Sequence, residues 1–261
     1  MRKNYLISLL ALSAMAVSAS SMAEENVTVS GSTTVLPVMQ KISEHLMQKD
    51  PSVVIELSGG GSQIAMSSRK IKDKEMKAAE EKGVKPFEIP VAVDAIVPIV
   101  NPKNSLKNLS LDDLRKIYKG EIKNWKEVGG PDAPIVLVSR DTSSGTFETW
   151  ESLVMKNQRV SPRALLQSSN GTVVQTVSRN PNAIGYVGLG YVVPIIKAVE
   201  INGIKATPET AKNGKWPLSR DLYLYTNHQP QGAVKKVTDF CLSEEGRSLI
   251  KEVGFIPPAK R

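Results

Sequence analysis

Apolar positions in this chain fall into short alternating runs separated by stretches at helical spacing, which predicts an α/β protein. VTVSG (Val27 to Gly31) and VVIEL (Val53 to Leu57) read as β-branched strands, and LPVMQKISEHLMQK between them sets Leu36, Met39, Ile42 and Leu46 on one helical face. Pro37 suits the first turn of that helix and Asp50-Pro51 closes it. Strand, helix and strand at this separation predict a parallel crossover. KIKDKEMKAAEEK (Lys70 to Lys82) carries only Ile71 and Met76 as large apolar residues and predicts an exposed helix. PFEIPVAVDAIVPIVNP follows as a long extended run, suited to a strand passing between lobes.

The same grammar then repeats. SLDDLRKIY has Ser110 and Asp113 at capping-box spacing, PIVLVSR is a buried strand, GTFETWESLVM a helix and NAIGYVGLGYV a second extended, glycine-spaced run. After Pro194 come KAVEI, the strand RDLYLYT with tyrosines on one face, and a final helix pair. Two extended runs flanking a central block predict two α/β lobes joined by two crossover segments. The first lobe is read as roughly Glu24 to Asp94 plus Gly190 to Arg261, the second as Ala95 to Leu189. A ligand cleft is expected between the lobes, at the carboxyl ends of the strands.

The first 23 residues stand outside this pattern. Arg2 and Lys3, an apolar run from Tyr5 to Val17 and the small residues Ser21 and Ala23 read as a secretory signal peptide cleaved near Ala23. An exported, periplasmic protein is expected, and a monomer. The single cysteine, Cys241, forbids an internal disulfide and reads as a buried apolar residue. The formal charge of +8, less Arg2 and Lys3, leaves the exported chain cationic, which draws in anions. No zinc-finger spacing or aromatic-basic interleaving points to nucleic acid, and no cofactor or metal motif appears.

Candidate chemistry lies where three strands end in small hydroxyl or glycine residues. The stretches are Ser32, Thr33 and Thr34; Ser58, Gly59 to Gly61 and Ser62; and Arg140, Asp141, Thr142, Ser143, Ser144, Gly145 and Thr146. One such cluster is ordinarily a helix cap. Three, with an arginine in one, predict a shared oxyanion site built from hydroxyls, backbone N–H groups and helix dipoles. Asp141 has two readings: it orients Arg140, or it accepts a proton that phosphate carries near neutral pH and sulfate does not. A secreted phosphoesterase would need a base near Ser144; the two histidines, His45 and His228, neighbour none of the clusters in sequence. Trp125 and Trp150 read as core residues without aromatic partners, and Asn170-Gly171 as a turn into a helix capped by Thr172.

GSTTVLP, SGGGS, SSRKIKD, LRKIYKGEIKNWKEVGGPDAPIVLVSRDTSSGTFE and NPNAIGYVGLGYV together resemble the PstS-type phosphate-binding proteins that serve ATP-driven phosphate importers. The resemblance covers nearly the whole exported chain. It implies the two-lobed type II periplasmic binding protein fold, inorganic phosphate as ligand, the membrane permease of an ABC importer as partner, and no enzymatic activity. Carried across residue by residue, it implies that Thr33 supplies a hydroxyl and Thr34 a backbone donor, with Ser32 adjacent. Ser62, Arg140, Ser144, Gly145 and Thr146 complete the grip. Ser68 aligns with an aspartate that accepts a proton in some relatives, which shifts that role to Asp141. Another tetrahedral oxyanion such as sulfate, a phosphoesterase, or lobes kept for partner contact are the alternatives.

One departure stands out. Relatives carry about a dozen further residues between the glycine-rich loop and QIAMSSR, enough for a crossover helix, whereas here Ser62 runs straight into Gln63. The expectation is that QIAMSSRK either joins a helix starting at Ser62 or loses its strand.

Overall fold

The computed structural model describes residues 25–57 and 61–258. The expected signal peptide lies outside the described residues, as do Ser58, Gly59 and Gly60. Strand β1 (Glu25–Gly31), helix α1 (Leu36–Lys49) and strand β2 (Val53–Leu57) form where the pattern predicts, with β1 and β2 parallel. Helix α1 turns Val38, Met39, Ile42 and Leu46 into the core.

Strand β3 (Ile64–Ser67) corrects both expectations for the shortened segment, since the strand persists and no helix starts at Ser62. A parallel neighbour of β2 would require the chain to travel back along the strand. Instead β2 pairs with one flank of β1 from Glu25 to Val29, and β3 pairs with the other flank from Val29 to Gly31. Strands β2 and β3 run in the same direction, one ending and the other beginning opposite Val29, so no return path is needed. The Gln63 N–H donates to the Thr28 carbonyl at 3.0 Å, and Ser30 Oγ to Ser62 Oγ at 2.9 Å, as the chain passes.

Helix α2 (Asp73–Glu80) buries none of its residues, as its composition predicts. Strand β4 (Pro86–Val100) then runs unbroken through the molecule. The remaining elements are β5 (Asn108–Leu109), α3 (Leu111–Lys119), β6 (Val136–Arg140), α4 (Gly145–Leu153), β7 (Leu165–Gln167), α5 (Asn170–Arg179) and β8 (Ala183–Gly188). They are followed by β9 (Lys197–Ala198), β10 (Glu200–Ile201), α6 (Pro208–Lys212), β11 (Ser219–Asn227), α7 (Gly232–Leu242) and α8 (Glu244–Glu252). The main sheet is ordered β2-β1-β3-β11-β4-β8-β6-β7, with β9 also against β4. Ser110 and Asp113 form the predicted capping box on α3.

Two hydrophobic cores form on this sheet. One gathers Val27, Met39, Ile42, Ile64, Leu222, Leu224, Cys241 and Phe255. The other gathers Ile96, Ile99, Leu114, Trp125, Val138, Trp150, Tyr186 and Trp216. Strand β4 serves both, pairing antiparallel with β11 from Pro86 to Ala95 and with β8 from Ile96 to Val100. The return was expected near Gly190, but NAIGYVGLGYV ends as a strand at Gly188 and turns. Ile196, Val199, Ile201, Trp216 and Leu218 stay with the second core, because their apolar side chains close over it. The chain comes back only as it enters β11.

Candidate anion-binding site

Arg140 ends β6 and is buried to within 5% of full enclosure. Burying a guanidinium is costly unless its N–H groups find acceptors. Its Nε donates to the Gln167 carbonyl at 3.0 Å and Nη2 to the Ser168 carbonyl at 2.9 Å, while its backbone N–H donates to the Tyr186 hydroxyl at 3.2 Å. Burial pulls the Arg140 pKa below its ordinary value, opposed by the nearby Asp141 carboxylate. The side chain lines a cavity of about 360 Å³, together with Gly31, Ser32, Thr33, Ser68, Arg69, Ser143, Ser144, Gly145 and Ser168.

The bidentate pair by which Asp141 would orient Arg140 is not formed. Its Oδ2 lies 3.8 Å from Arg140 Nη2, beyond hydrogen-bond distance. Its Oδ1 instead accepts from the Ser143 N–H at 3.0 Å and from the Ser143 hydroxyl, which shapes the turn before α4. Two carbonyls aim the arginine, and Asp141 is not among the residues lining the cavity.

Ser144 caps α4, accepting from the Thr146 N–H at 3.1 Å and the Phe147 N–H at 3.4 Å. This fixes the helix start, with its positive dipole end, against the cavity. Ser68 faces Gly145 so closely that a Cβ at position 145 would stand 2.7 Å from Ser68 Oγ. Thr33 lines the cavity from the loop ahead of α1.

Thr34 and Thr146 are brought together at 3.0 Å, but both are fully buried behind the lining. The Thr34 N–H, expected to reach the ligand, donates to Ser32 Oγ at 3.2 Å. Ser62 is not brought to the site. It bonds to Ser30 and lines a separate hollow beside Tyr225, because the missing crossover draws its loop along β1.

Sequence reading gave no site role to several residues at or behind this cavity. Helix α5 is capped by Ser169 with Thr172 as its capping-box partner, and its first residue, Asn170, is fully buried. Asn170 Nδ2 donates to Thr33 Oγ1 at 3.2 Å and to Thr34 Oγ1 at 3.0 Å. Ser168 and Ser169 before that helix repeat the hydroxyl signature of the other stretches, so the signal was present. Arg69 lines the cavity mouth, gripping Glu75 through both Nη atoms at 2.9 and 2.8 Å and reaching Glu148 of α4 at 2.7 Å. Arg220 is buried beside Asp94, Nη2 to Oδ2 at 2.9 Å. The only clue to this pair was two opposite charges interrupting apolar strands.

Trp125 and Trp150 are core residues as expected, but Trp150 does have aromatic partners. It stacks on Tyr186 at 4.0 Å and meets Tyr118 edge-on at 4.9 Å. His45 pairs with Glu245 at 2.7 Å, and His228 occupies a left-handed turn position; neither lines the cavity. A larger groove of about 510 Å³, bordered by Phe87, Pro230 and Leu242, lacks the convergent hydroxyls and buried cation of the Arg140 cavity.

Comparison with known proteins bears on the fold and the family. The sequence model of the PBP superfamily domain matches residues 16–245. The phosphate-binding protein PstS of Bacillus subtilis is 31% identical over 245 residues, covering 90% of this chain and 81% of its own. A Clostridium perfringens structure with bound phosphate, described as that of a phosphate ABC transporter substrate-binding protein, is 34% identical. It superposes with a TM-score of 0.84 over 90% of this chain and 100% of its own. An ABC-type phosphate transport receptor from Vibrio cholerae is 31% identical with a TM-score of 0.69, covering 89% of this chain and 100% of its own. The two-lobed fold is thus shared, and the chain belongs to the PstS-type phosphate-binding proteins of the PBP superfamily.

Proposed function

We propose that this chain captures inorganic phosphate outside the cytoplasm and delivers it to the membrane permease of an ABC importer, without chemical turnover. The observation that carries this reading is the convergence of Arg140, the α4 start and the Thr33 and Ser68 loops on one cavity, in a chain 34% identical to a protein solved with bound phosphate. In the proposed site Arg140, Thr33, Ser68, Ser144 and Gly145 replace the hydration shell of the ion. Each charge-assisted hydrogen bond contributes roughly 1.5–3 kcal/mol. Several together offset dehydration and leave affinity near micromolar, about −8 kcal/mol.

The two cores would act as lobes, with Arg69 and Glu148 meeting across the mouth on closure. Export through the residue 1–23 segment, with cleavage near Ala23, completes the proposal. No helix among the described residues is long and apolar enough to cross a membrane.

A second oxyanion, sulfate, enters on one observation: among the described residues no carboxylate lines the cavity, so the side-chain acceptors they offer a phosphate proton there are hydroxyls. Calorimetric titration of the purified exported form with phosphate and with sulfate tests both. Phosphate binding at micromolar level with weaker sulfate binding is expected. Tighter sulfate binding, or none of either ion, would overturn the reading.

A further inference from the structure

Strand β7 ends the main sheet, so one of its flanks has no strand beside it among the described residues. It pairs in parallel with β6, Leu165 opposite Val138, Leu166 opposite Ser139 and Gln167 opposite Arg140. The Gln167 carbonyl accepts from the Asp141 N–H at 3.1 Å, which turns the Gln167 backbone toward β6. Backbone groups alternate between the two flanks of a strand, so the Leu166 N–H and carbonyl face outward. Exposed edges recruit other chains and are ordinarily blunted by a charge or a proline. The Leu-Leu-Gln of β7 has neither. Leu166 is 59% exposed, more than any other large apolar side chain among the described residues, and Leu165 is 47% exposed.

Positive charge surrounds this edge. From Leu153 to Leu166 the chain carries Lys156, Arg159 and Arg163, all exposed, and no acid. Leu165 lines a hollow of about 450 Å³ together with Lys123, Arg163, Ile122, Ile135 and Pro162, and no carboxylate of the described residues lines it. Nearby, Arg115 and Lys116 pair with Asp112, Lys119 with Glu121 and Lys126 with Asp132. Lys123 and Arg163 join no such pair among the described residues. Glu127 turns its Oε1 instead to the Lys123 and Asn124 backbone N–H groups, at 3.0 and 2.8 Å. The imbalance extends over the whole second half, where residues 95–218 hold 16 Lys and Arg against 10 Asp and Glu. The described residues of the first half hold 14 against 15.

A second copy of this chain would bring the same cations to the edge and be repelled. A lipid surface offers negative charge but no strand for the Leu166 backbone. An extended acidic peptide offers both. We infer that the β7 edge docks an extended acidic segment of a partner protein, which pairs with Leu166 and sets carboxylates on Lys123 and Arg163. Successive side chains point to opposite faces, so Leu166 faces away from Leu165 and the hollow. The segment that fits therefore alternates acids on the hollow's face with apolar residues against Leu166. This inference does not depend on the phosphate reading.

The test titrates the purified exported chain at low salt with a blocked octapeptide of alternating glutamate and valine, followed by amide NMR. Exchange of the Leu166 N–H should slow at least about fivefold in the complex. Lys123→Gln with Arg163→Gln should weaken binding about tenfold. Leu166→Pro removes the outward N–H at an edge position, where proline is tolerated, and should weaken binding as much. The exchange measurement on the unsubstituted chain decides the matter should the proline protein fail to fold. Four outcomes would overturn the inference: no binding, equal binding of an octapeptide of alternating lysine and valine, binding that leaves Leu166 exchange unchanged, or binding to phosphatidylglycerol vesicles in place of the peptide.

Discussion

Ser68 Oγ and the α-carbon of Gly145 are packed so tightly that a methyl group added to Gly145 would lie 2.7 Å from the serine oxygen and 3.1 Å from Arg69 Cγ. Ser68 follows β3, which packs in the first core, and Gly145 opens α4, which packs in the second; both line the cavity. Gly145→Ala should therefore hold the walls apart and weaken phosphate binding roughly tenfold, about 1.4 kcal/mol. Helix propensity at this first position of α4 would by itself favour alanine. Calorimetry together with thermal unfolding separates the two effects, and unchanged affinity would remove Gly145 from the wall.

Arg140 is held by a fork, Nε on one carbonyl and Nη2 on the next. A lysine has one nitrogen and cannot occupy both acceptors while facing the cavity. Arg140→Lys should lose affinity about a hundredfold, nearly as much as Arg140→Met, corresponding to one or two charge-assisted bonds. Retention of binding in the lysine protein would show that charge alone suffices.

Trp150 stacks at 4.0 Å on Tyr186, whose hydroxyl accepts from the Arg140 backbone N–H. Trp125 and Trp216 donate their indole N–H groups to the Asn182 and Ile96 carbonyls at 3.0 and 3.1 Å, away from the arginine. A change of tryptophan emission on adding phosphate should thus come mainly from Trp150. Trp150→Phe should remove most of it, and Trp216→Phe should preserve it.

Glu75 is held at a pKa of about 2, below its ordinary 4.5, first by its hydrogen bonds from Arg69. A depressed carboxylate stabilises the folded state above its unfolded pKa and loses that contribution as acid protonates it. Between about pH 4.5 and 2 the advantage of the natural chain over Glu75→Gln in urea midpoint should narrow. A difference constant with pH would mean that the pair contributes nothing to folding, as many exposed pairs do not.

How much of this was legible before the coordinates depends on whether a feature is local. The α1 face, the Ser110 to Asp113 box, the buried Cys241 and the Ser144 cap follow from spacing within a single element, and all form. The cavity around Arg140 was also legible, because hydroxyls before helices carry a local signature. The roles of Asp141 and Thr34 were not. Asp141 is captured by Ser143 two residues on, and Thr34 by residues more than a hundred positions away.

The placement of Ser62 and β3 failed for another reason. Sequence-level rules treat successive parallel strands as neighbours, whereas this chain places them on opposite flanks of a third strand, offset along its length. The late return of the chain to the first core escaped for a related reason. Ile196 to Leu218 contains apolar residues that fit either core, and only packing decides between them.

The continuity of β4 has a further consequence. Loss of the strand would strip a hydrogen-bonded partner from β11 on one side and from β8 on the other. Neither half of the molecule can melt alone without exposing the edge of its companion. Heat should therefore dismantle the protein in one cooperative step despite its two separate interiors.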